Sequence, residues 1–185
     1  YYANIIMHLG SIVKKTLKAA ESLAIEMIAP SHGVIFRSGL DKIISKYQDW
    51  SVFKPEPRIL VIYDTMWQST EMMATAITDG AAEAGIEVRK LSVQSNDITH
   101  LATEMLDCAG FAIGSPTLNN GLLPTVSEFL TYIKGLRPGN KLGFAFGSHG
   151  WAGGAVPMIQ DLLKELGTEL TSEGIYNFVK AHVWT

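Results

Sequence analysis

The chain has 185 residues, of which 47% are hydrophobic and 18% are charged, and its formal net charge is -3. This length can bury a substantial core, and the composition is that of an ordinary globular protein. The mixed charges give no electrostatic case for binding nucleic acid or an anionic membrane, and no apolar run is long enough to span a bilayer.

The first fifty residues have a loose pattern of apolar side chains. Helical spacing predicts a helix over Ile12–Leu23 and a second over about Ser38–Tyr47. Between them an apolar run predicts a short strand at Ile25–Ile28, and the loop that follows contains His32. A region of this size is too small and too open in pattern to form a domain by itself.

A linker is predicted at residues 51–57, because Pro55 and Pro57 flank a charged residue and disfavour helix. We therefore expect a small region over residues 1–50, the linker, and a domain over residues 58–185. The chain begins at Tyr1 without an initiator Met and ends at Thr185 just after an apolar run. Both ends are typical of a piece of a longer protein.

Beyond the linker, strand-like and helix-like segments alternate strictly. This alternation predicts an α/β fold, in which helices wrap both faces of an open five-stranded parallel sheet through right-handed crossovers. The strands are predicted at Ile59–Tyr63, Glu87–Leu91, Gly110–Ile113, Leu142–Phe146 and Tyr176–Ala181. The helices are predicted at Thr70–Ala84, Ile98–Leu106, Thr125–Lys134 and Val156–Leu166.

The single cysteine, Cys108, precludes an internal disulfide and fits a reducing cytoplasm. We expect it to be a small buried hydrophobe just before the third strand. The N-terminus has no basic-then-apolar signal peptide, so a cytoplasmic location is expected.

The turn after the first predicted strand is the most informative segment. The run from Arg58 to Ala74 reads RILVIYDTMWQSTEMMA, an apolar strand that passes through a hydroxyl-rich turn into a helix. Backbone N–H groups at a helix start lack intrahelical partners and attract anions. Thr65, Ser69 and Thr70 add neutral donors, and the turn contains no Lys or Arg. By itself, this turn indicates either a phosphate site or hydroxyls that merely cap the helix.

Two further loops are expected beside this turn, because ligands of an open parallel sheet bind beyond the carboxyl ends of its strands. SPTLNNGLLP runs from Ser115 to Pro124, and SHGWAGGAV runs from Ser148 to Val156. The first of these offers small and amide side chains and accessible backbone N–H groups. In the second, Trp151 lies among glycines and suits stacking on an aromatic ring.

Two tryptophans have alternative interpretations at this point. Trp151 could instead pack on a neighbouring helix and hold its loop in place. Trp67, in the first loop, could line the ligand or face a partner domain. A phosphate site, a planar-ring site and polar backbone groups at one edge together indicate a mononucleotide cofactor, and FMN fits best.

The segments YDTMWQST, GSPTLNNGLLP and FGSHGWAGGAV resemble the three cofactor loops of the flavodoxin-like domain of flavodiiron proteins, also called A-type flavoproteins. In that family, this domain follows a metallo-β-lactamase-like domain that holds a non-heme di-iron centre. YYANIIMHLG and IAPSHGVIFR resemble the end of that preceding domain. The resemblance implies that residues 1–50 are a lactamase-like remnant and that residues 58–185 are the FMN domain without its final helix.

The resemblance also implies which residues bind the cofactor. The phosphate would be held by Thr65, Met66, Ser69 and Thr70. Polar edges of the ribityl chain and the flavin would contact Pro116, Thr117, Leu118, Asn119, Asn120 and Gly121. The ring would be covered by Ser148, Gly150, Trp151, Ala152 and Gly153. The remaining members of the predicted set are Trp67, Gln68, which stands where simple flavodoxins usually have Gly, Ser115, and His149, which stands where the family often has an aromatic residue.

His32, in the segment PSHG, matches one iron ligand of the family. The HxExDH motif and the other ligands are not in this sequence. A lone His cannot build a di-iron site, so we expect a loop histidine without metal unless another chain supplies the rest.

The function that the resemblance implies is electron transfer. A donor such as rubredoxin reduces FMN, which passes electrons to a di-iron centre that reduces O2 to water or NO to N2O. Family members work as head-to-tail homodimers, in which the flavin of one subunit faces the iron of the other. Without the final helix, one face of the sheet is expected to be partly bare, or covered by the N-terminal segment or a neighbouring chain.

Three other functions stay open on the residues alone. The chain could be a stand-alone flavodoxin-type electron carrier with no turnover of its own. It could be an NAD(P)H-dependent flavin reductase on the same fold. It could also be a structural remnant that binds nothing.

Overall fold

The computed structural model describes residues 1–178. Its centre is a parallel sheet with the strand order β2-β1-β3-β4, and two short strands, β5 and β6, both pair with β4. The strands are β1 Glu56–Tyr63, β2 Glu87–Ser92, β3 Cys108–Gly114, β4 Leu142–His149, β5 Glu169–Leu170 and β6 Ile175–Phe178. The predicted α/β class is confirmed, because the strands of the open sheet are parallel and are connected by helices.

The fifth position of the sheet is divided between two strands. β5 pairs with the start of β4 through Glu169 and Leu170, and β6 pairs with its end, from Phe146 to His149. β5 could not be predicted from the sequence, because two residues show no alternation. The predicted strand at Tyr176–Ala181 overlaps β6 as far as residue 178, and the rest of it lies outside the described residues.

Helices connect the strands in the predicted alternation. They are α1 Gly10–Ala20, α2 Leu40–Ser51, α3 Ser69–Glu83, α4 Ile98–Met105, α5 Pro124–Leu136 and α6 Ala155–Glu165. The helices predicted between the strands agree with α3 to α6 within a few residues. In residues 1–178, every helix is too short or too polar to cross a membrane.

The core is divided between the two faces of the sheet. On one face, Leu60, Ile62 and Ile113 are fully buried under α4, α5 and α6. On the other face, Val61 and Phe146 pack with Ala74 of α3. Alternation along each strand sends successive side chains to opposite faces, which accounts for the continuous apolar runs of β1 and β3.

The α3 face is less completely covered at β4 and β6. Leu142 and Ile175 lie on this face, because they share the side of Phe146, and they are 45% and 54% exposed. The N-terminal segment does not reach them. It packs on the outside of α4 and α5 instead, where Tyr2 and Met7 are buried.

The first fifty residues contain α1, α2 and a short π-helical and 3-10 segment, Tyr2–Ile6 and Met7–Leu9. The predicted strand at Ile25–Ile28 is wrong. Ile28 forms only an isolated antiparallel bridge to Phe36, and Met27 is 53% exposed. A strand needs a hydrogen-bonded neighbour, and this part of the described chain supplies none beyond that bridge.

The predicted linker is shorter than residues 51–57. Ser51 is the last residue of α2, and β1 already begins at Glu56. Pro57 has no backbone N–H to donate to a neighbouring strand. It is tolerated within β1 because the register between β1 and β3 shifts between Glu56 and Ile59.

Candidate functional site

Three loops meet at the carboxyl edge of the sheet. The first loop is residues 64–68 between β1 and α3, the second is residues 115–123 between β3 and α5, and the third is residues 150–154 between β4 and α6. The buried hydroxyls of Thr70 and Ser148 are hydrogen-bonded at 2.9 Å, which joins the first loop's helix to the end of β4. The backbone N–H of Thr117 donates to the Ser148 carbonyl at 2.8 Å, which joins the second loop to the same point.

The N-cap residue of α3 does not cap the helix with its side chain. Its N-cap residue is Gln68, with φ of 67° in the left-handed region, and the Gln68 side chain accepts no hydrogen bond from the first turn. The simpler interpretation, in which Ser69 and Thr70 cap this helix, is therefore wrong. The first-turn N–H groups keep their affinity for an external acceptor.

Thr65 has the clearest sign of an absent partner. Its backbone N–H donates to the Asp64 carboxylate at 2.6 Å, while its Oγ1 is buried without a hydrogen-bond partner among the described residues. A buried hydroxyl that lacks a partner is unfavourable by about 1–3 kcal/mol. A ligand oxygen at the turn would satisfy it.

Two charged groups near the first loop, Glu71 and Lys90, are already paired with each other. The Tyr63 hydroxyl donates to Glu71 Oε1 at 2.8 Å, and Lys90 Nζ lies 3.7 Å from the same oxygen. Burial, followed by the hydrogen bond to Glu71, raises the pKa of Tyr63 to about 12, so this phenol remains a donor. Lys90 also donates to Thr75 at 2.9 Å, away from the turn. An anion at this turn would be held by neutral dipoles.

The second loop is a tight hairpin-like turn. Leu118 and Gly121 exchange backbone hydrogen bonds of 3.0 and 2.8 Å, and Asn119 and Asn120 have φ of 50° and 60°. Positive φ at both central residues is the geometry of a type I′ turn, which Asn and Gly favour. The Asn-Asn-Gly sequence was a signal for this turn that the sequence analysis did not use. Both Asn side chains are exposed.

Ser115, a predicted cofactor residue, uses its hydroxyl within the second loop. Its Oγ donates to the Pro116 carbonyl at 2.8 Å and accepts the N–H of Leu123 at 3.1 Å, and the residue is fully buried. This side chain ties the two ends of the loop together. Its contribution to a ligand is therefore the shape of the loop.

The second and third loops are interlocked. Thr117 Oγ1 accepts the N–H groups of Gly154 and Ala155 at 3.1 and 3.2 Å, so it caps α6 from outside that helix. A Cβ at Gly154 would lie only 2.1 Å from the Asn120 carbonyl oxygen, so this position requires glycine. The sequence did not reveal this contact, because the two residues are far apart in the chain.

The third loop presents Trp151 to solvent. This side chain is 90% exposed, and Trp67 of the first loop is 86% exposed. The alternative in which Trp151 packs on a neighbouring helix is therefore wrong. His149 is half-buried and meets the Tyr176 ring edge-on, with centroids 6.1 Å apart. Large exposed aromatic surfaces beside a polar loop cluster are suited to stacking on a planar ligand.

His32 and Cys108 lie away from this edge. The His32 ring stacks on Tyr1 with centroids 6.4 Å apart, and residues 1–178 contain no group of three His, Cys, Asp or Glu that could hold a metal ion. Cys108 is fully buried at the start of β3, and burial raises the pKa of its thiol to about 11. The expectation of a small buried hydrophobe at Cys108 is confirmed.

The structure thus brings the predicted residues of the three loops to one edge. The donor set fits a phosphate group, because it combines uncapped helix N–H groups with the unpartnered Thr65 hydroxyl. The exposed tryptophans fit a planar ring. Two residues that the sequence analysis did not select, Asp64 and Thr125, lie within this cluster, where the Thr125 hydroxyl donates to the buried Asp64 carboxylate.

Comparisons with known proteins agree with this geometry. The nitric oxide reductase of Moorella thermoacetica is 42% identical over 175 residues, which cover 94% of this chain and 44% of that protein. The structure of rubredoxin oxygen:oxidoreductase from the anaerobe Desulfovibrio gigas matches with a TM-score of 0.92 and 35% identity, over 98% of this chain and 47% of that chain. The flavodiiron protein from Giardia intestinalis matches with a TM-score of 0.92 and 34% identity, over 98% of this chain and 46% of that chain.

The chain spans less than half the length of each of these relatives. The predicted resemblance to flavodiiron proteins is confirmed by these matches. A family model, described as Flavodoxin, matches residues 61–179, which include all three loops. The chain therefore belongs to the flavodoxin family, whose domain binds FMN.

Proposed function

We propose that the three loops hold FMN and that the chain is the electron-transfer domain of a flavodiiron oxidoreductase. The observation that carries this proposal is the joining of three ligand-type loops at one sheet edge, with the buried Thr65 hydroxyl left without a partner. The sheet order and the match to the flavodoxin family support the same cofactor.

Each loop has a distinct part in binding. The first loop and the start of α3 would hold the phosphate through N–H groups and hydroxyls of Thr65, Ser69 and Thr70. The Thr70–Ser148 pair has two hydroxyl protons but only one shared hydrogen bond, so one proton stays available for a ligand oxygen. Backbone groups of residues 116–121 would contact the polar edges, and Trp151 would cover the ring.

Bound FMN would supply the redox chemistry, and the chain's own residues would set its environment. Residues 64–70 carry no Lys or Arg, and residues 115–124 and 148–156 carry none either. Loops without cations leave a negatively charged reduced ring uncompensated. We therefore expect these loops to hold the reduction potential of the flavin low.

In the complete protein, we infer that electrons pass from a rubredoxin-type donor through FMN to a di-iron centre, where O2 is reduced to water or NO to N2O. The names of the matched relatives support this: one is a nitric oxide reductase and another a rubredoxin oxygen:oxidoreductase. Residues 1–50 would be the end of the metallo-β-lactamase-like domain, with His32 as one iron ligand. A head-to-tail homodimer in the cytoplasm is part of the same proposal.

A flavin titration tests the cofactor. FMN should quench Trp fluorescence of the apoprotein at one equivalent, and riboflavin, which lacks the phosphate, should bind more weakly. Equal binding of the two flavins, or binding of neither, would reject the phosphate site. For the complete protein, iron analysis and oxygen or NO consumption with reduced rubredoxin test the oxidoreductase activity.

A second candidate is a stand-alone electron carrier, which the flavodoxin family match favours. A carrier would contain FMN and exchange electrons with a donor, but the full-length protein would contain no iron and would consume neither oxygen nor NO. Rapid bleaching of the flavin by NAD(P)H alone would indicate a flavin reductase instead.

A further inference from the structure

The residue that follows β1 carries an unusual buried charge. Asp64 is 1% exposed, and its backbone N–H donates to the Gly114 carbonyl at 3.1 Å. Its Oδ1 accepts the N–H of Thr65 at 2.6 Å, and its Oδ2 accepts the hydroxyl of Thr125. Burial of a carboxylate is strongly unfavourable unless hydrogen bonds compensate it.

The position of the Asp64 carboxylate is electrostatically unfavourable for binding of the proposed phosphate. Asp64 adjoins a turn that we expect to bind a phosphate, so two negative groups would lie near each other. Thr125 is the second residue of α5, and the positive end of that helix offsets part of the Asp64 charge. If the side chain at position 64 only filled space, a neutral side chain would be more favourable there than a carboxylate.

The hydrogen bonds of Asp64 fix the direction of the first loop. The Thr65 N–H turns inward to the carboxylate, and the Thr65 hydroxyl is left buried and without a partner in the described chain. The bond to Thr125 ties this loop to the helix that follows the second loop. Asp64 thus sets the orientation of the donor that we assign to the phosphate.

We propose that Asp64 is the positioning residue of the phosphate turn, and that it acts through Thr65 and Thr125 by hydrogen bonding and not by its charge. This inference rests on the proposed binding of FMN. It assigns to Asp64 no contact with the cofactor itself.

The test compares FMN and riboflavin, because only FMN carries the phosphate. In Asp64→Ala, we expect FMN affinity to fall about tenfold and riboflavin affinity to change less than about twofold. Asp64→Asn keeps both hydrogen bonds, since its carbonyl accepts from Thr65 and its amide donates to the Thr125 hydroxyl. We therefore expect its ratio of FMN to riboflavin affinity to equal or exceed that of the wild type.

Thr125→Val removes the hydrogen bond from Thr125 to Asp64 and leaves the Asp64 charge in place. A smaller drop in the same ratio, about threefold, is expected. This variant decides the test if Asp64→Ala does not fold. Asp97→Ala is the matched control, because Asp97 also accepts a backbone N–H and a hydroxyl, both of Thr99, but lies outside the three loops.

The outcomes separate the two proposals. If wild-type protein does not distinguish FMN from riboflavin, the phosphate site itself is wrong. If it does, an unchanged ratio in Thr125→Val and in any folded Asp64→Ala overturns the role of Asp64 alone. A drop in Asp64→Asn as large as that in Asp64→Ala also overturns it, because charge would then be the cause.

Discussion

The two ends of strands β1, β3 and β4 carry opposite kinds of polar chemistry. At the amino ends, Arg58 bonds Asp107 at 2.8 Å and lies 3.4 Å from Glu104, with all three side chains largely buried. Lys141, 3% exposed, donates to the carbonyls of Leu106 and Cys108, and burial lowers its pKa. These charged groups have partners within the protein, although the Nε of Arg58 is itself buried without a hydrogen-bond partner among the described residues.

At the carboxyl ends, the same strands lead into hydroxyls, amides and glycines. The Thr70–Ser148 and Thr117–Gly154 bonds join the loops, while Thr65 Oγ1 and the first turn of α3 keep unused donors. The amino edge is thus dominated by charged groups that pair with other protein groups, and the carboxyl edge by neutral donors that fit the proposed ligand. Substitutions at the amino edge should therefore change stability, and those at the carboxyl edge should change binding.

The largest expected effect is at the amino edge. Arg58→Ala leaves Glu104 and Asp107 without their shared partner, and we expect the free energy of unfolding to fall by about 3–5 kcal/mol. Urea denaturation measures this. Arg89→Ala is the control, since Arg89 also pairs with Glu104 but is 46% exposed, so we expect a loss of about 0–1 kcal/mol. Similar losses for both variants would contradict the structural role of the buried pair.

At the carboxyl edge, Ser69→Ala and Thr70→Val should weaken FMN binding. A hydrogen bond to a charged group contributes about 1.5–3 kcal/mol, so we expect a loss of about ten- to a hundredfold in fluorescence titration. Thr78→Val is the matched control, because Thr78 lies on the same helix and its hydroxyl bonds only the Ala74 carbonyl. Unchanged FMN affinity in both site variants would rule out phosphate binding at this turn.

Trp151→Ala tests the ring site separately from the phosphate site. Because this side chain is 90% exposed, we expect stability to change by less than about 0.5 kcal/mol. FMN and riboflavin should both weaken by about two- to tenfold, since stacking contributes about 0.5–1.5 kcal/mol. Trp67→Ala in parallel shows whether the second exposed tryptophan lines the same ligand. Retention of both affinities in Trp151→Ala would show that the ring binds elsewhere.

The smallest expected effect concerns the left-handed residue at the start of α3. Gln68→Gly relieves a φ of 67° and should raise the free energy of unfolding by about 0.5–1 kcal/mol. Arg137→Gly is the control, because Arg137 has φ of 52° at the opposite edge. We expect both variants to gain stability and only Gln68→Gly to alter FMN affinity. A loss of stability in Gln68→Gly would contradict the strain assigned to this turn.

Much of the alternation of strands and helices could be predicted, because local sequence patterns determine where each of these elements forms. β1 and α3 appear in the sequence as an apolar run followed by helical spacing, and both form within a few residues of their predicted bounds. The strand predicted at Ile25–Ile28 failed because an apolar run specifies no strand without a neighbour to pair with. β5 was missed because its two residues are a strand only through their pairing with β4.

For the site, the sequence indicated the loops but not the roles within them. Ser115 was expected to contact a cofactor, yet its hydroxyl bonds within its own loop. Thr117 was expected at the flavin edge, and the structure shows that it also caps α6. Asp64 was passed over, although it links three segments of the chain. Such hydrogen bonds join residues that no local pattern relates.

The sequence by itself determined the fold class, the edge of the sheet where a ligand is expected and the absence of Lys and Arg from the first loop. These follow from periodicity and residue type, which act over a few neighbouring positions. Only the tertiary structure decided that Thr70 pairs with Ser148, that Asp64 is buried, and that Trp151 faces solvent. Each of these depends on chain segments that are distant in sequence and become neighbours only when the strands align in register.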